Sequence, residues 1–202
     1  MFLKSPPPLI LASTSIYRRE LLERLKIPFE CQASGVDESP RFGESALALV
    51  ARLARAKAHA VAVGRPGACV IGSDQVAVLA GREGGETILG KPGSAANCVG
   101  QLLQCSGRTL SFVTAVAVAR RADSFLSEFI DTTRVAFREL DRAAIERYVA
   151  REAPLDCAGG FKSEGLGISL CESIGGEDPT ALIGLPLVRL AAVLRRLGYQ
   201  LP

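Results

Sequence analysis

Histidine is almost missing from this chain: among 202 residues only His59 carries an imidazole. That scarcity argues against His-rich metal sites and leaves a histidine-based nucleophile triad short of its base. His59 itself falls on an alanine-rich helical stretch and reads as incidental. The six cysteines (Cys31, Cys69, Cys98, Cys105, Cys157 and Cys171) contain no CxxC pair and most sit in apolar surroundings, so they read as buried reduced thiols and not as a zinc site or disulfide framework. Aromatic content is 5% and net charge only +3, too little of either for a nucleic-acid partner. No apolar run reaches the roughly 18 residues of a membrane span. The start, MFLKSPPP, has no signal-peptide core. No membrane partner and a cytoplasmic location are therefore expected. Repeats, charge blocks and low-complexity linkers are also absent. With 48% hydrophobic residues the chain can bury one sizeable core, and a single domain over residues 1–202 is expected. Chemistry must then run on carboxylates, lysines and arginines, or on a metal held by oxygen.

What is present begins at Leu9 with LILASTSIYRRELLERL. Leu9 to Ala12 is an apolar strand. Ser13, Thr14 and Ser15 offer capping oxygens where a helix starts, and a helix N-terminus attracts anions through its unpaired N–H groups and macrodipole. Arg18 precedes Leu21, Leu22 and Leu25 by three, four and seven residues, so it tops the apolar stripe of that helix. A cation turned inward at an anion-binding turn suggests phosphate; a capped surface helix with ordinary arginines is the plainer alternative.

Farther along, helical and strand patterns alternate. A short strand over Phe29 to Ser34 leads to the polar loop Gly35-Val36-Asp37-Glu38. A helix runs from about Glu44 to Ala62, followed by a buried strand at Cys69-Val70-Ile71. A hairpin is expected from Gln75–Leu79 to Thr87–Leu89, turning near Gly84-Gly85. Ser94 caps a helix ending at Ser106-Gly107, with glycine as the natural C′ residue. Two long strands cover Leu110–Ala119 and Phe125–Phe137. Asp141 caps a helix to about Arg151, a glycine-rich hairpin spans Ala158–Gly176, and Leu185–Leu197 closes the chain as a helix. This alternation implies an α/β fold with a mixed sheet and a ligand site beyond the carboxyl ends of strands, where Ser13 and Asp74 fall.

Lys57 repeats the logic of Arg18, sharing a helix face with Val50 and Leu53; snorkelling to water is the competing reading. Asp74 follows a buried strand directly, and a carboxylate there is costly unless paired, metal-bound or used as a base. Gly85 to Lys91 satisfies GxxxxGK, but Pro92 stands where a P-loop needs Ser or Thr, so it is no Walker motif. Lys91 is still placed to reach phosphate from a rigid Gly-Lys-Pro turn.

Taken in order, STSIYRRELL, VDES, LARAKA, GSDQV, LGKP, FKSEG and EDPTALIGLPL resemble the Maf family across Leu9 to about Leu197. The resemblance implies an α/β, ITPase-like fold with a central mixed sheet flanked by helices and a cleft between two lobes, often as a homodimer. It implies a cytoplasmic nucleoside triphosphate pyrophosphatase using a divalent cation, Mg²⁺ or Mn²⁺. Carried onto this chain, the family's catalytic positions fall on Arg18, Glu38, Lys57, Asp74 and Lys91. Glu38 and Asp74 would hold the metal, Asp74 would accept the proton of the attacking water, and the three cations would clamp phosphates. Ser13, Tyr17, Gln75, Lys162 and Glu164 complete the expected substrate contacts. The segment Gly81 to Glu86 is longer than the simplest family pattern.

Members acting on dTTP or UTP have arginine where this chain has Tyr17 and glutamine where it has Glu164. The combination here is similar to the branch acting on 7-methyl-GTP. N7 methylation makes guanine cationic, so a carboxylate can accept from N1–H and the exocyclic amine while an aromatic face stacks on the charge; for Glu164 the plainer alternative is a loop carboxylate paired with Lys162. The alternatives are a dTTP/UTP pyrophosphatase and a non-catalytic nucleotide-binding regulator of septum formation.

Overall fold

A computed structural model describes residues 6–81 and 85–202. Strands β1 (Leu9–Leu11) and β2 (Glu30–Cys31) flank helix α1 (Ile16–Glu23), and α2 covers Ala46–Gly64. Strand β3 (Cys69–Ala80) returns antiparallel through β4 (Glu86–Leu89), and α3 (Ala95–Cys105) follows. Then come the long strands β5 (Thr109–Arg120) and β6 (Phe125–Phe137), α4 (Arg142–Glu152), β7 (Cys171–Gly175) and α5 (Leu187–Arg196). They build one seven-stranded sheet in the order β2-β1-β3-β5-β6-β7, with β4 also on β3. The β1–β2 and β1–β3 ladders are parallel and the others antiparallel, giving the mixed sheet the alternation implied. No helix of the described residues is long and apolar enough to cross a membrane.

Strand alternation sorts the core into faces. Ile10, Val70, Val76 and Val78 pack with Val50, Leu53, Ala54 and Ala58 of α2. Their neighbours Leu9, Leu11, Cys69 and Ile71 face the other way, onto Leu21 and Leu22 of α1 and Leu190 and Leu194 of α5. On that same second face, but at the far end of β3 and β5, Ala77, Leu79, Leu110 and Phe112 pack with Leu102 of α3 and Tyr148 of α4. Two helical lobes thus share one face of the sheet, with a gap between them.

Caps agree with the sequence. Ser15, Ser45, Ser94 and Asp141 each accept a backbone N–H in the first turn of their helices. Gly107 follows α3 with φ +63°, the left-handed C′ conformation.

Four expectations are corrected. The second strand is two residues long, not Phe29–Ser34. β3 runs unbroken through Gly72-Ser73, so Asp74 lies within a strand and not beyond its end. β5 holds that stretch in register from Val70 to Leu79, a long-range pairing that overrides the local break signal. The region Ala158–Gly176 is not a hairpin: two 3₁₀ turns (Ala158–Gly160 and Leu166–Leu170) lead into the single strand β7, which pairs with β6. Cys31 is exposed and Cys157 and Cys171 are half-buried, so only Cys69, Cys98 and Cys105 are fully buried thiols; all six are free. The turn expected near Gly84-Gly85 lies partly outside the described residues.

Candidate active site

Gly72 decides how closely α2 approaches β3. A side-chain carbon there would meet the Ala54 carbonyl oxygen at 2.2 Å and the Ala58 nitrogen at 2.6 Å, so only hydrogen lets the helix backbone lie on the strand. One turn of α2 spans that contact and carries Lys57 inward. Its ammonium, 5% exposed, sits 2.7 Å from Asp74 Oδ1 and 2.7 Å from Glu38 Oε1. Snorkelling is therefore excluded for Lys57. Burial pushes the Asp74 carboxyl above its ordinary value, against the opposing charges of Lys57 and Arg18, and Glu38 adds to the rise. Burial also presses Glu38 upward, yet the hydrogen bond and charge of Lys57, with Lys91 and Arg18 behind, hold it below the usual carboxylate range. Asp74 Oδ2 carries no hydrogen bond among the described residues, which leaves one oxygen for a proton.

The serine turn after β1 builds the second wall. Ser13 Oγ accepts the Ser15 N–H at 3.1 Å, and Ser15 Oγ accepts the Arg18 N–H at 3.4 Å. Arg18 turns inward, its Nε donating to the Gly184 carbonyl at 3.0 Å. Its two terminal nitrogens make no hydrogen bond among the described residues. Burial lowers its pKa, with Asp74 and Glu38 opposing. The loop bearing Glu38 is latched from α2: Arg52 donates to Glu44 at 2.6 and 2.7 Å and to the Ser39 carbonyl at 3.1 Å.

Ser13, Arg18, Glu38, Lys57 and Asp74 line one cleft of about 530 Å³, together with Asp156, Cys157 and Phe161. Lys91, exposed on the turn after β4, joins the cationic end. At the other end, the Tyr17 hydroxyl donates to Asp156 Oδ1 at 3.5 Å, beside Cys157 and Glu164. Burial, then Cys157, Asp156 and Glu164, push the Tyr17 phenol up, so it stays a neutral donor. Burial and Asp156 raise the Cys157 thiol to about 11, which keeps it protonated and unreactive at neutral pH.

Nine of the ten residues singled out from sequence come together here: Ser13, Tyr17, Arg18, Glu38, Lys57, Asp74, Gln75, Lys91 and Glu164. Gln75 lines the cleft but spends its amide nitrogen on Thr114 Oγ1 and the Ala181 and Leu182 carbonyls, at 2.8 to 3.0 Å. Lys162 stands outside the lining. Its ammonium pairs with Glu152 at 2.9 Å and lies 5.8 Å from the Tyr17 ring centroid. Glu164 is thus not the partner of Lys162 and, among the described residues, accepts only from Ser163 Oγ, at 2.8 Å. His59 is exposed on α2, away from the cleft lining. Sequence reasoning missed Asp156 and Cys157. They sit in an irregular turn and meet Tyr17, about 140 residues away in the chain, through hydrogen bonds that no local pattern signals.

A sequence model of the family described as Maf-like protein matches residues 8–197. This chain belongs to the Maf family. Among its Maf relatives is a protein of Alkalilimnicola ehrlichii named 7-methyl-GTP pyrophosphatase, 54% identical over 96% of each chain. Proteins of the same name from Xanthomonas oryzae pv. oryzae and Pseudomonas aeruginosa are 53% and 50% identical, covering 97% of this chain and all of their own. The Ham1 protein of Staphylococcus aureus shares 18% identity with a TM-score of 0.43, over 64% of this chain and 71% of its own, too little for an argument from fold.

Proposed function

We propose that this Maf family chain hydrolyses 7-methyl-GTP to 7-methyl-GMP and pyrophosphate. The observation that carries this reading is the separation of charge along one cleft. Arg18, Lys57 and Lys91 gather around Glu38 and Asp74, three cations to two carboxylates, whereas the carboxylates Asp156 and Glu164 stand around Tyr17. A triphosphate suits the first and a cationic base the second. Glu164 accepts from N1–H and the exocyclic amine of the base while countering its charge. Tyr17 offers a ring whose surroundings already tolerate the Lys162 ammonium, and stacking a cation there is worth ~0.5–2 kcal/mol.

Water attacks the α-phosphorus, the α–β anhydride bond breaks, and pyrophosphate leaves with the bond's electron pair. Asp74 takes the water's proton through Oδ2, its burial raising its affinity for that proton. Arg18, Lys57 and Lys91 offset the charge gathering on pyrophosphate, and Ser13 adds a neutral donor. The donor set suits a hard divalent ion through oxygen: the carboxylates of Glu38 and Asp74 converge on the Lys57 ammonium. Mg²⁺ or Mn²⁺ is held in this way, by one or two carboxylates with water and substrate phosphates completing the shell. Glu38 and Asp74 would hold it, and such an ion supplies Lewis-acid polarisation of phosphoryl oxygens.

Pyrophosphate release with Mg²⁺ or Mn²⁺ across 7-methyl-GTP, GTP, dTTP, UTP and CTP tests the reading, with Asp74→Asn as blank. Preference for 7-methyl-GTP is expected. Preference for dTTP or UTP would keep the mechanism and overturn the base argument. Tight nucleotide binding without release would favour a regulator.

A further inference from the structure

The tract Glu177 to Leu185 contains no charged residue aimed into the cleft, yet it touches the site at several points. Asp178 is 1% exposed and acts as a knot. Its Oδ1 accepts from the Thr180 N–H at 2.8 Å and the Thr180 hydroxyl at 2.6 Å, and its Oδ2 accepts from the Val188 N–H at 2.6 Å. Thr180 Oγ1 in turn accepts from the Leu187 N–H at 2.8 Å, and its proton is shared with the Leu185 carbonyl at 2.9 Å. Pro186, at the cap position of α5, makes no side-chain cap bond, so Asp178 and Thr180 satisfy the orphan donors of that helix from a distance. The tract is thereby pinned to a rigid element.

Between the pins, the turn Ala181–Ile183 and Gly184 present carbonyls toward β3. Ala181 accepts from Thr114 Oγ1 and Gln75 Nε2, and Leu182 from Gln75 Nε2. Gly184 accepts from Ser73 Oγ at 2.9 Å and Arg18 Nε at 3.0 Å. Ser73 and Gln75 flank Asp74, so one tract registers both neighbours of the proposed base and the proposed phosphate ligand. Gly184 itself adopts φ +116°, and a side-chain carbon there would lie 3.3 Å from Arg18 Nε. Holding a guanidinium by Nε leaves both terminal nitrogens in a fixed plane, the arrangement that grips a phosphate in two bonds.

We infer that Asp178 and Thr180 are positioning residues for Arg18, acting through the Gly184 carbonyl to aim its terminal nitrogens at the polyphosphate. This rests on the reading of Arg18 as a phosphate ligand. The test is a double-variant cycle on kcat/KM for pyrophosphate release from 7-methyl-GTP, with Tm measured in parallel. Thr180→Val should lose ~10-fold or more, since misplacing a reacting group by about 1 Å costs up to ~10²-fold. Thr180→Ser, which keeps the hydroxyl, should restore most of it. In an Arg18→Ala background Thr180→Val should cost several-fold less than in the wild type, the remaining loss passing through Ser73 and Gln75 beside Asp74, while the Tm drop persists in both backgrounds. Equal losses in both backgrounds overturn the positioning claim and leave Arg18's role standing. Wild-type turnover in Arg18→Ala overturns both. Should Thr180→Val fail to fold, the unaltered protein decides by NMR: an Arg18 Nε–H protected from solvent exchange supports the claim, and one exchanging freely overturns it.

Discussion

Replacing Gly72 by alanine should damage the site without touching a charged group. The added carbon would sit 2.2 Å from the Ala54 carbonyl oxygen and 2.6 Å from the Ala58 nitrogen. Both are main-chain atoms of α2, so no side-chain rotation relieves them. Ordinary contact lies near 3.5 Å, so helix and strand must part by roughly 1 Å. Overpacking of this kind costs about 1–3 kcal/mol, which for a domain of this size lowers Tm by roughly 2–12 °C. The functional loss should be larger than the stability loss suggests. Lys57 leaves α2 between Ala54 and Ala58, and its two 2.7 Å contacts to Asp74 and Glu38 open as the helix recedes. A displacement of that size is worth up to ~10²-fold in turnover. Thermal unfolding and pyrophosphate release on one preparation check both. Wild-type Tm together with wild-type kcat would refute the argument that this glycine sets the Lys57 geometry.

Three further outcomes follow from the site. Asp74→Asn should keep the fold and lose at least ~10²-fold in turnover, the scale of general-base removal; near-wild-type activity would sink its assignment. Glu164→Gln keeps shape but removes the charge at the base end, and should cut discrimination between 7-methyl-GTP and GTP by roughly tenfold, read from the ratio of kcat/KM values. Asp131 is 5% exposed with Oδ1 unpartnered; burial, then Asp178 and Glu177, raise its carboxyl against Arg189. An acid whose folded pKa is raised favours folding at low pH and loses that contribution as pH rises through the folded value. Asp131→Asn should therefore gain Tm over wild type increasingly as pH rises above the ordinary aspartate value of about 4, and a gain independent of pH would contradict it.

Local signals reached the charged half of the cleft well and the base half poorly. Arg18 and Lys57 were legible because each breaks an apolar stripe on a helix, a conflict between pattern and charge that one sequence displays by itself. Ser94, Asp141 and Gly107 were legible because capping is a short-range matter. The continuity of β3 was not, since Gly72-Ser73 reads as a break until β5 is laid beside it. Lys162 was misplaced for a similar reason: Glu152 competes for it and Glu164 does not, and their spacing along the chain cannot rank the two. Asp156 lies in a turn without periodicity, where only the fold reveals its neighbour.

The gap in one ladder explains why charge can be buried here at all. On its β5 side, β3 is paired from Val70 to Leu79. On the other, β1 takes Cys69 to Ile71 and β4 takes Ala77 to Ala80, so Gly72 to Val76 have no strand partner there among the described residues. α2 lies on the face of the sheet at Gly72, and the window leaves the edge of β3 unpaired beside Asp74, which lines the cleft. A buried Lys–Asp pair at such a place is a poor source of stability, because desolvating two ions cancels most of their attraction and apolar residues of equal volume do as well or better. Its value lies elsewhere. Folding meets the cost of stripping water from the Lys57 ammonium and fixing its direction before any substrate arrives, so a polyphosphate encounters a cation already oriented and dry. On the proposed reading the ion pair is then a device for binding an anion, kept in place by the carboxylates to which that reading also gives the metal and the proton.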